Sequence, residues 1–226
     1  RKQIVFHEGN SVMGLYCICG GKIKLYKTTS TGKQQILIIA KAGEMIGHPP
    51  LFSNQPHRVT AEAIEDSEIC FHPKAEFLRV LLNSPAIMLK FLSKLSSDLI
   101  HAEEKALSFA YLPVRVRFAD FLFSLTKNFG IPKGKGSQLN VSLSREEIAQ
   151  AIGTTIETAV RLVSEFRKEG LIEVDKRHIT ILDLRQFREF CNDFDHNSCP
   201  EDDFAPPPRS SLKNAFLQLD LNQVFY

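Results

Sequence analysis

The sequence has almost no excess of either charge. Lys and Arg number 28 against 26 Asp and Glu, a formal net charge of +2. That excludes a polybasic chain that holds nucleic acid by bulk charge alone, but not a local reading surface. Cysteine is also scarce. Five in 226 residues cannot form a disulfide scaffold, and Cys17-x-Cys19, Cys70, Cys191 and Cys199 match no common zinc spacing. A reduced cytoplasmic setting with no metal site is expected. No apolar run approaches the ~18 residues of a membrane span, and no signal peptide is present, so no membrane contact is expected. The chain begins at Arg1 rather than Met, which leaves room for a preceding segment. No nucleophile–base pair and no Gly-Lys phosphate cradle occur, so an enzyme is not expected.

What is present is enough apolar material, 43% of residues, for real cores. At about 150 residues per domain the length predicts two modest domains. Residues 4–72 read as short strands. Lys22–Lys27 alternates with period two, as a half-buried strand does. Ser30-Thr31-Gly32-Lys33 is a hairpin turn before Gln35–Ala40, and Arg58–Ile64 alternates again. Glycine-marked turns about every ten residues predict a small antiparallel roll. Cys17 and Cys19 fall on one face of a strand and are expected to be core residues.

After Pro73 the pattern changes. Between Pro85 and Phe109 there is no internal Gly or Pro, and Met88, Leu92, Leu95, Leu99, Ala102, Ala106 and Phe109 alternate steps of four and three. This heptad stripe predicts a dimer seam, against the alternative of a helix laid on its own domain. Tyr111-Leu112-Pro113 ends that helix, and Phe118, Phe121, Leu122 and Leu125 mark the next. Lys133-Gly134-Lys135-Gly136-Ser137 reads as a flexible basic loop.

Residues 143–163 carry the most information. Ser144 with Glu147 is a capping box. Gly153 can take the left-handed conformation that ends a helix. Thr154 and Thr155 are both candidate caps for the next helix, whose inner stripe is Ala159, Leu162, Val163 and Phe166. Gly170 stops it, and a hairpin around Asp175-Lys176-Arg177 follows. The whole is a helix-turn-helix with a wing. Residues 144–178 hold six Lys/Arg and seven Asp/Glu, so charge alone does not argue for DNA. The outward side chains do. Ile156, Glu157, Val160 and Arg161 occupy the exposed first turns of the second helix. Arg donates a bidentate pair to guanine, and Glu accepts from cytosine. The plainer alternative is an i,i+4 ion pair between Glu157 and Arg161. Ser144, Thr155, Lys168, Lys176 and Arg177 are candidate phosphate contacts.

Residues 4–185 resemble the Crp/Fnr family of bacterial transcription regulators, most specifically in the run Ser144-Arg145-Glu146-Glu147-Ile148-Ala149…Gly153…Glu157-Thr158…Arg161-Leu162. The resemblance implies an α+β fold: an effector-sensing double-stranded β-roll of cyclic-nucleotide-binding type over 1–84, a dimerisation helix and hinge over 85–112, and a winged helix-turn-helix over 113–190. It implies a homodimer on a near-palindromic double-stranded DNA site, with RNA polymerase as a further partner and Glu157 and Arg161 as the base-reading pair. Ile156 and Val160 depart from the Crp and Fnr patterns, so the flanking-base preference is not carried over. Val160 can instead meet a thymine methyl.

The resemblance also frames the sensor. Cyclic-AMP-binding members have Gly-Glu and Arg-Ser where this chain has Gly47-His48 and Arg58-Val59, and they have small hydroxyl residues where it has Ala102-Glu103. A buried Glu103 near a nucleotide phosphate would repel it. Cyclic AMP is not expected. Haem on one of His7, His48, His57, His72 or His101 is a weaker expectation than surface or satisfied histidines. The cysteines do not cluster as an iron–sulfur site requires. The competing function is a nucleotide-like binding module whose helix-turn-helix serves protein contacts. Residues 191–226, with Pro206-Pro207-Pro208 and an apolar stretch at Leu212–Leu219, form a linker-like tail of unknown role.

Overall fold

A computed structural model describes residues 2–53 and 55–192. Of the expected tail over 191–226, Cys191 and Asn192 end the last helix and the rest lies outside the described residues. Seven short strands come first: β1 (Ile4–Phe6), β2 (Gly14–Gly20), β3 (Lys22–Thr28), β4 (Gln34–Lys41), β5 (Met45–Ile46), β6 (Thr60–Ala63) and β7 (Glu68–Pro73). They pair as two antiparallel sheets, β1-β6-β3-β4 and β5-β2-β7. Phe6, Ile18, Ile23, Leu25, Ile46 and Ala61 fill the space between them. The turn from β2 to β3 needs glycine. Gly21 sits at φ +82°, and a Cβ there would lie 2.2 Å from Ser67 Oγ and 2.5 Å from the Asp66 carbonyl.

Two expectations for the roll are corrected. Cys17 and Cys19 do share a face of β2, but it is the outer one. Cys19 is exposed and Cys17 half-buried, because Ile18 takes the inner face. Strand β3 is not half-buried. Lys22 through Tyr26 are all buried, since the outward face is covered by the C-terminal part of the chain. Lys24 Nζ lies 3.2 Å from Glu62 and 3.4 Å from Glu147, and Tyr26 joins Ile36 and Ala151 in a small core. An ammonium withdrawn from water requires such partners.

Helix α1 (Lys74–Asn83) buries only Leu81, which is why its period is weak in the sequence. Helix α2 (Pro85–Tyr111) starts where Ser84 Oγ accepts the Ile87 N–H at 3.4 Å, with Pro85 in its first turn. Its 27 residues extend for about 40 Å. Pro113 then opens α3 (Val114–Phe129), whose Phe118, Ala119, Leu122 and Leu125 are buried.

The expected flexible loop after α3 is instead a hairpin, β8 (Gly130–Lys133) and β9 (Gly136–Leu139). Its turn uses Gly134 at φ +61°. Gly136 is obligatory, since a Cβ would sit 1.9 Å from the Ile181 carbonyl. Pro132 is tolerated because β8 is an edge strand of the sheet β10-β11-β9-β8. That sheet is completed by β10 (Ile172–Asp175) and β11 (His178–Ile181), after α4 (Arg145–Ile152) and α5 (Ile156–Lys168), and α6 (Leu184–Asn192) closes the described chain. Phe118, Phe166 and Phe187 are completely buried at the centre of this unit. Phe118 and Phe166 meet edge-to-face, with ring centroids 4.9 Å apart. Among the described residues no helix is long and apolar enough to cross a membrane.

Candidate nucleic-acid interface

The α4–α5 corner is built by local chemistry. Ser144 Oγ accepts the Glu147 N–H at 3.1 Å, and the Glu147 carboxylate accepts the Ser144 N–H at 2.8 Å, the reciprocal capping box. Gly153 ends α4 at φ +66°. Its missing Cβ also leaves room for Phe109, whose ring would lie 2.7 Å away. Of the two candidate caps, Thr155 starts α5, with Oγ1 accepting the Thr158 N–H at 3.3 Å. Ala149 and Ala159 are buried where the helices cross.

Burial of Ala159, Leu162, Val163 and Phe166 fixes the rotation of α5. Ile156 and Val160 are therefore 46% and 48% exposed, and Glu157 and Arg161 stand beside them in solvent. The alternative, a Glu157–Arg161 ion pair, is not formed. Arg161 Nε instead faces Glu165 Oε1 at 4.0 Å, and Glu165 Oε2 accepts from Arg115 at 3.3 Å. The Glu157 carboxyl is held below its ordinary range by its own backbone N–H and by the Thr155 hydroxyl. It is an ionised acceptor at neutral pH. A carboxylate and a guanidinium one turn apart, flanked by two apolar contacts, match the donor and acceptor edges of the major groove. Thr155→Ala should cost about 1 kcal/mol of stability, measurable by urea denaturation, and should fray the turn that carries Ile156 and Glu157.

The candidate phosphate contacts do not all gather here. Thr155 is at the reading end of α5, whereas Lys168 is at its far end, about 20 Å away. Lys176 and Arg177 are exposed at the β10–β11 turn, with Lys176 at φ +54°. Ser144 and Arg177 line a cleft of about 480 Å³ shared with Lys2, Lys24 and Glu62 of the roll. The helix-turn-helix is docked on the roll along this side. Gln35 Nε2 donates to the Ala151 carbonyl at 3.3 Å, and Lys41 Nζ to the Asn128 carbonyl at 3.1 Å.

Nor do the expected effector residues form one enclosed pocket. Gly47, at φ +81°, and His48 are buried, and Val59 is half-buried, but Arg58 and Glu103 are exposed. The interior beside Gly47 is occupied by rings. His57 stacks on Phe6 at 3.9 Å between centroids, and Phe6 on Tyr16 at 5.4 Å. His48 Nε2 lies 3.1 Å from Asp98 Oδ2 on α2. Since a carboxylate only accepts, that nitrogen carries the proton. Of the histidines expected to be surface residues or satisfied partners, His48 is buried with Asp98 as its partner and His57 is buried against Phe6, while His7 and His101 are exposed. Among the described residues no three His, Cys, Asp or Glu side chains gather as a metal would need.

Asp98 escaped the sequence reading. Its signal was helical phase: it follows Phe91, Lys94 and Leu95 on the face of α2 that turns to the roll. Burial lowers the His48 pKa below its ordinary 6.5, opposed by Asp98. The unfolded chain therefore takes up this proton first as pH falls. The stability that neutral, buried His48 gives the folded chain is fully present above about pH 6.5 and is lost as pH drops toward the folded-state value. Urea midpoints at pH 7.5 and 5.5 should show that loss, and His48→Gln should reduce it.

The seam residues divide. Leu92, Leu99, Ala102 and Ala106 are exposed, whereas Met88, Leu95 and Phe109 are partly covered by their own chain. Phe109 is turned onto Gly153. The outward stripe of α2 is widened by Leu89, Ile100 and Leu107, each more than half exposed.

Residues 1–84 match the cyclic nucleotide-binding domain, and residues 116–190 match the Crp-like helix-turn-helix domain. The chain is 28% identical over 181 residues to the regulatory protein HlyX of Actinobacillus pleuropneumoniae, covering 80% of this chain and 75% of that one. It is 29% identical to electron transport regulator A of Shewanella oneidensis, covering 81% and 73%. The fold is similar to FixK2 from Bradyrhizobium japonicum, with a TM-score of 0.75 at 22% identity over 84% of this chain and 92% of that one. It is also similar to a CooA mutant from Carboxydothermus hydrogenoformans, with a TM-score of 0.71 at 25% identity over 84% of each.

Proposed function

The chain belongs to the Crp/Fnr family of transcription regulators, and we propose that it works as a homodimer that reads a near-palindromic DNA site and is switched by a signal received in the roll. Like its relatives it is a DNA-binding regulator rather than an enzyme, which sets aside a helix-turn-helix reserved for protein contacts. The observation that carries the base-reading assignment is the outward presentation of Glu157 and Arg161, with Ile156 and Val160, on the first two turns of α5. The second helix of such a corner enters the major groove by its N-terminal residues. A mobility shift on a palindromic probe tests it. Glu157→Ala should weaken binding and relax the preference at one base pair of each half-site, while a loss unrelated to sequence would remove Glu157 from the reading set.

The support for a switch is β4, which holds α2 on one side and α4 on the other. Lys105 Nζ of α2 donates to the carbonyls of Ile36 and Leu37 at 3.2 and 2.8 Å, and Gln35 reaches Ala151 of α4. Phe109, near the end of α2, touches the α4–α5 turn. A signal that moves α2 against the roll is thereby felt at both contacts of the reading domain. An effector biases that movement only through different affinity for the two arrangements.

The signal is not cyclic AMP in this reading. His48 is committed to Asp98, Val59 brings no hydroxyl to a phosphate, and aromatic rings fill the interior. Calorimetric titration with cyclic AMP should show no heat of binding. RNA polymerase is the further partner at the promoter.

A further inference from the structure

We propose that Cys19 and Cys70 are an oxidisable dithiol pair that closes to an intrachain disulfide across β2 and β7. This goes beyond the DNA-reading assignment and does not depend on it. The Cys19 and Cys70 sulfurs lie 3.0 Å apart on the outer face of the roll. Both residues are exposed, so an oxidant reaches them without opening the core. Cys70 is registered opposite Cys17, and the irregularity between Ile18 and Gly20 in β2 swings Cys19 toward Cys70. Without it, a diagonal pair on adjacent strands is spaced too widely for a short bridge.

The chemistry follows from the crowding. Hydrogen bonding to Cys70 raises the Cys19 thiol to about 11, with burial and the charges of Cys70 and Glu68 adding to it. Cys19 thiolate is scarce at neutral pH, so closure that starts there is slow, yet a thiol that resists ionisation favours the disulfide at equilibrium. With a low-molecular-weight disulfide as oxidant, the Cys19 thiolate attacks one of its sulfurs and expels a small thiol. The Cys70 thiolate then attacks Cys19 Sγ and expels the second. The protein loses two electrons and two protons, and both appear on the two small thiols released. The bond ties edge strand β7, which runs directly into α1 at Lys74, to the middle strand of its sheet.

The test uses the reduced full-length chain in oxidised glutathione, without DNA, so its outcome is separate from that of the DNA-reading assignment. Peptide mapping after alkylation should recover a linked Cys19–Cys70 pair, about 2 Da lighter than the two free peptides. The rate of its formation should rise with pH between pH 7 and 9, as the thiolate fraction grows. Cys17→Ser should leave the link intact, and Cys70→Ser should abolish it. Separate alkylated Cys19 and Cys70 peptides after prolonged oxidation, or a link from Cys70 to Cys17, would overturn the proposal.

Discussion

Arg161→Ala weakens binding to the cognate site by about 1–3 kcal/mol, roughly 5- to 150-fold, and relaxes the preference at one base pair. The structure supports a direct loss rather than one passed through folding. The Arg161 side chain is 67% exposed, and its ion pair with Glu165 spans 4.0 Å, so little is given up when the guanidinium turns to a base. Core packing of α5 does not use it. Arg161→Lys keeps the charge and removes the planar fork, so it should recover phosphate attraction and not base preference. Lys176→Ala is the contrasting case: a similar loss on every sequence, with a salt slope smaller by about one. Fluorescence anisotropy titrations on cognate and single-substituted probes at two salt concentrations separate the two behaviours. A uniform loss for Arg161→Ala would place this arginine on the backbone instead.

The reading corner was legible because its chemistry is local. Ser144 and Glu147 cap each other across three residues, Gly153 alone takes its φ without strain, and the α5 inner stripe sets which residues face out. The long helix was legible in extent, since Ser84-Pro85 starts it and Leu112-Pro113 stops it. Its phase was not. One heptad runs along both the face that packs on the roll and the face turned to solvent, so the repeat takes in Met88, Leu95 and Phe109 together with residues that stand outside. Long-range cover was equally hidden. Nothing within Lys22–Lys27 reports that Glu147 will lie over Lys24, or that Asp98 will meet His48. The β8–β9 hairpin was concealed by Gly-Lys-Gly composition, which reads as loop until β11 supplies the neighbour that pairs it.

Leu99→Glu should dissociate the proposed dimer and reduce binding to a palindromic site to that of one half-site. Leu92 and Leu99 are 51% and 60% exposed on a single chain, seven residues apart, on the stripe free to face a second copy. Two-fold symmetry makes one substitution act twice. Burying a leucine contributes about 1.5–3 kcal/mol, so losing two removes about 3–6 kcal/mol, or about 10²–10⁴ in the dimer constant, before like-charge repulsion is added. Two linked half-sites act on each other at an effective concentration near ~1 mM, and a monomer forfeits that gain on DNA. The fold itself should persist, because Leu99 is already solvated in the single chain; far-UV circular dichroism should not change. Phe109→Glu should do the reverse. Its ring lies against Gly153 and beneath Arg117, 5.1 Å from the guanidinium, so the charge would lower the unfolding midpoint of the single chain. Sedimentation velocity and urea unfolding on the two variants give opposite patterns if Leu99 is in the seam and Phe109 is not. A Leu99→Glu chain that still sediments as a dimer would move the seam off this face.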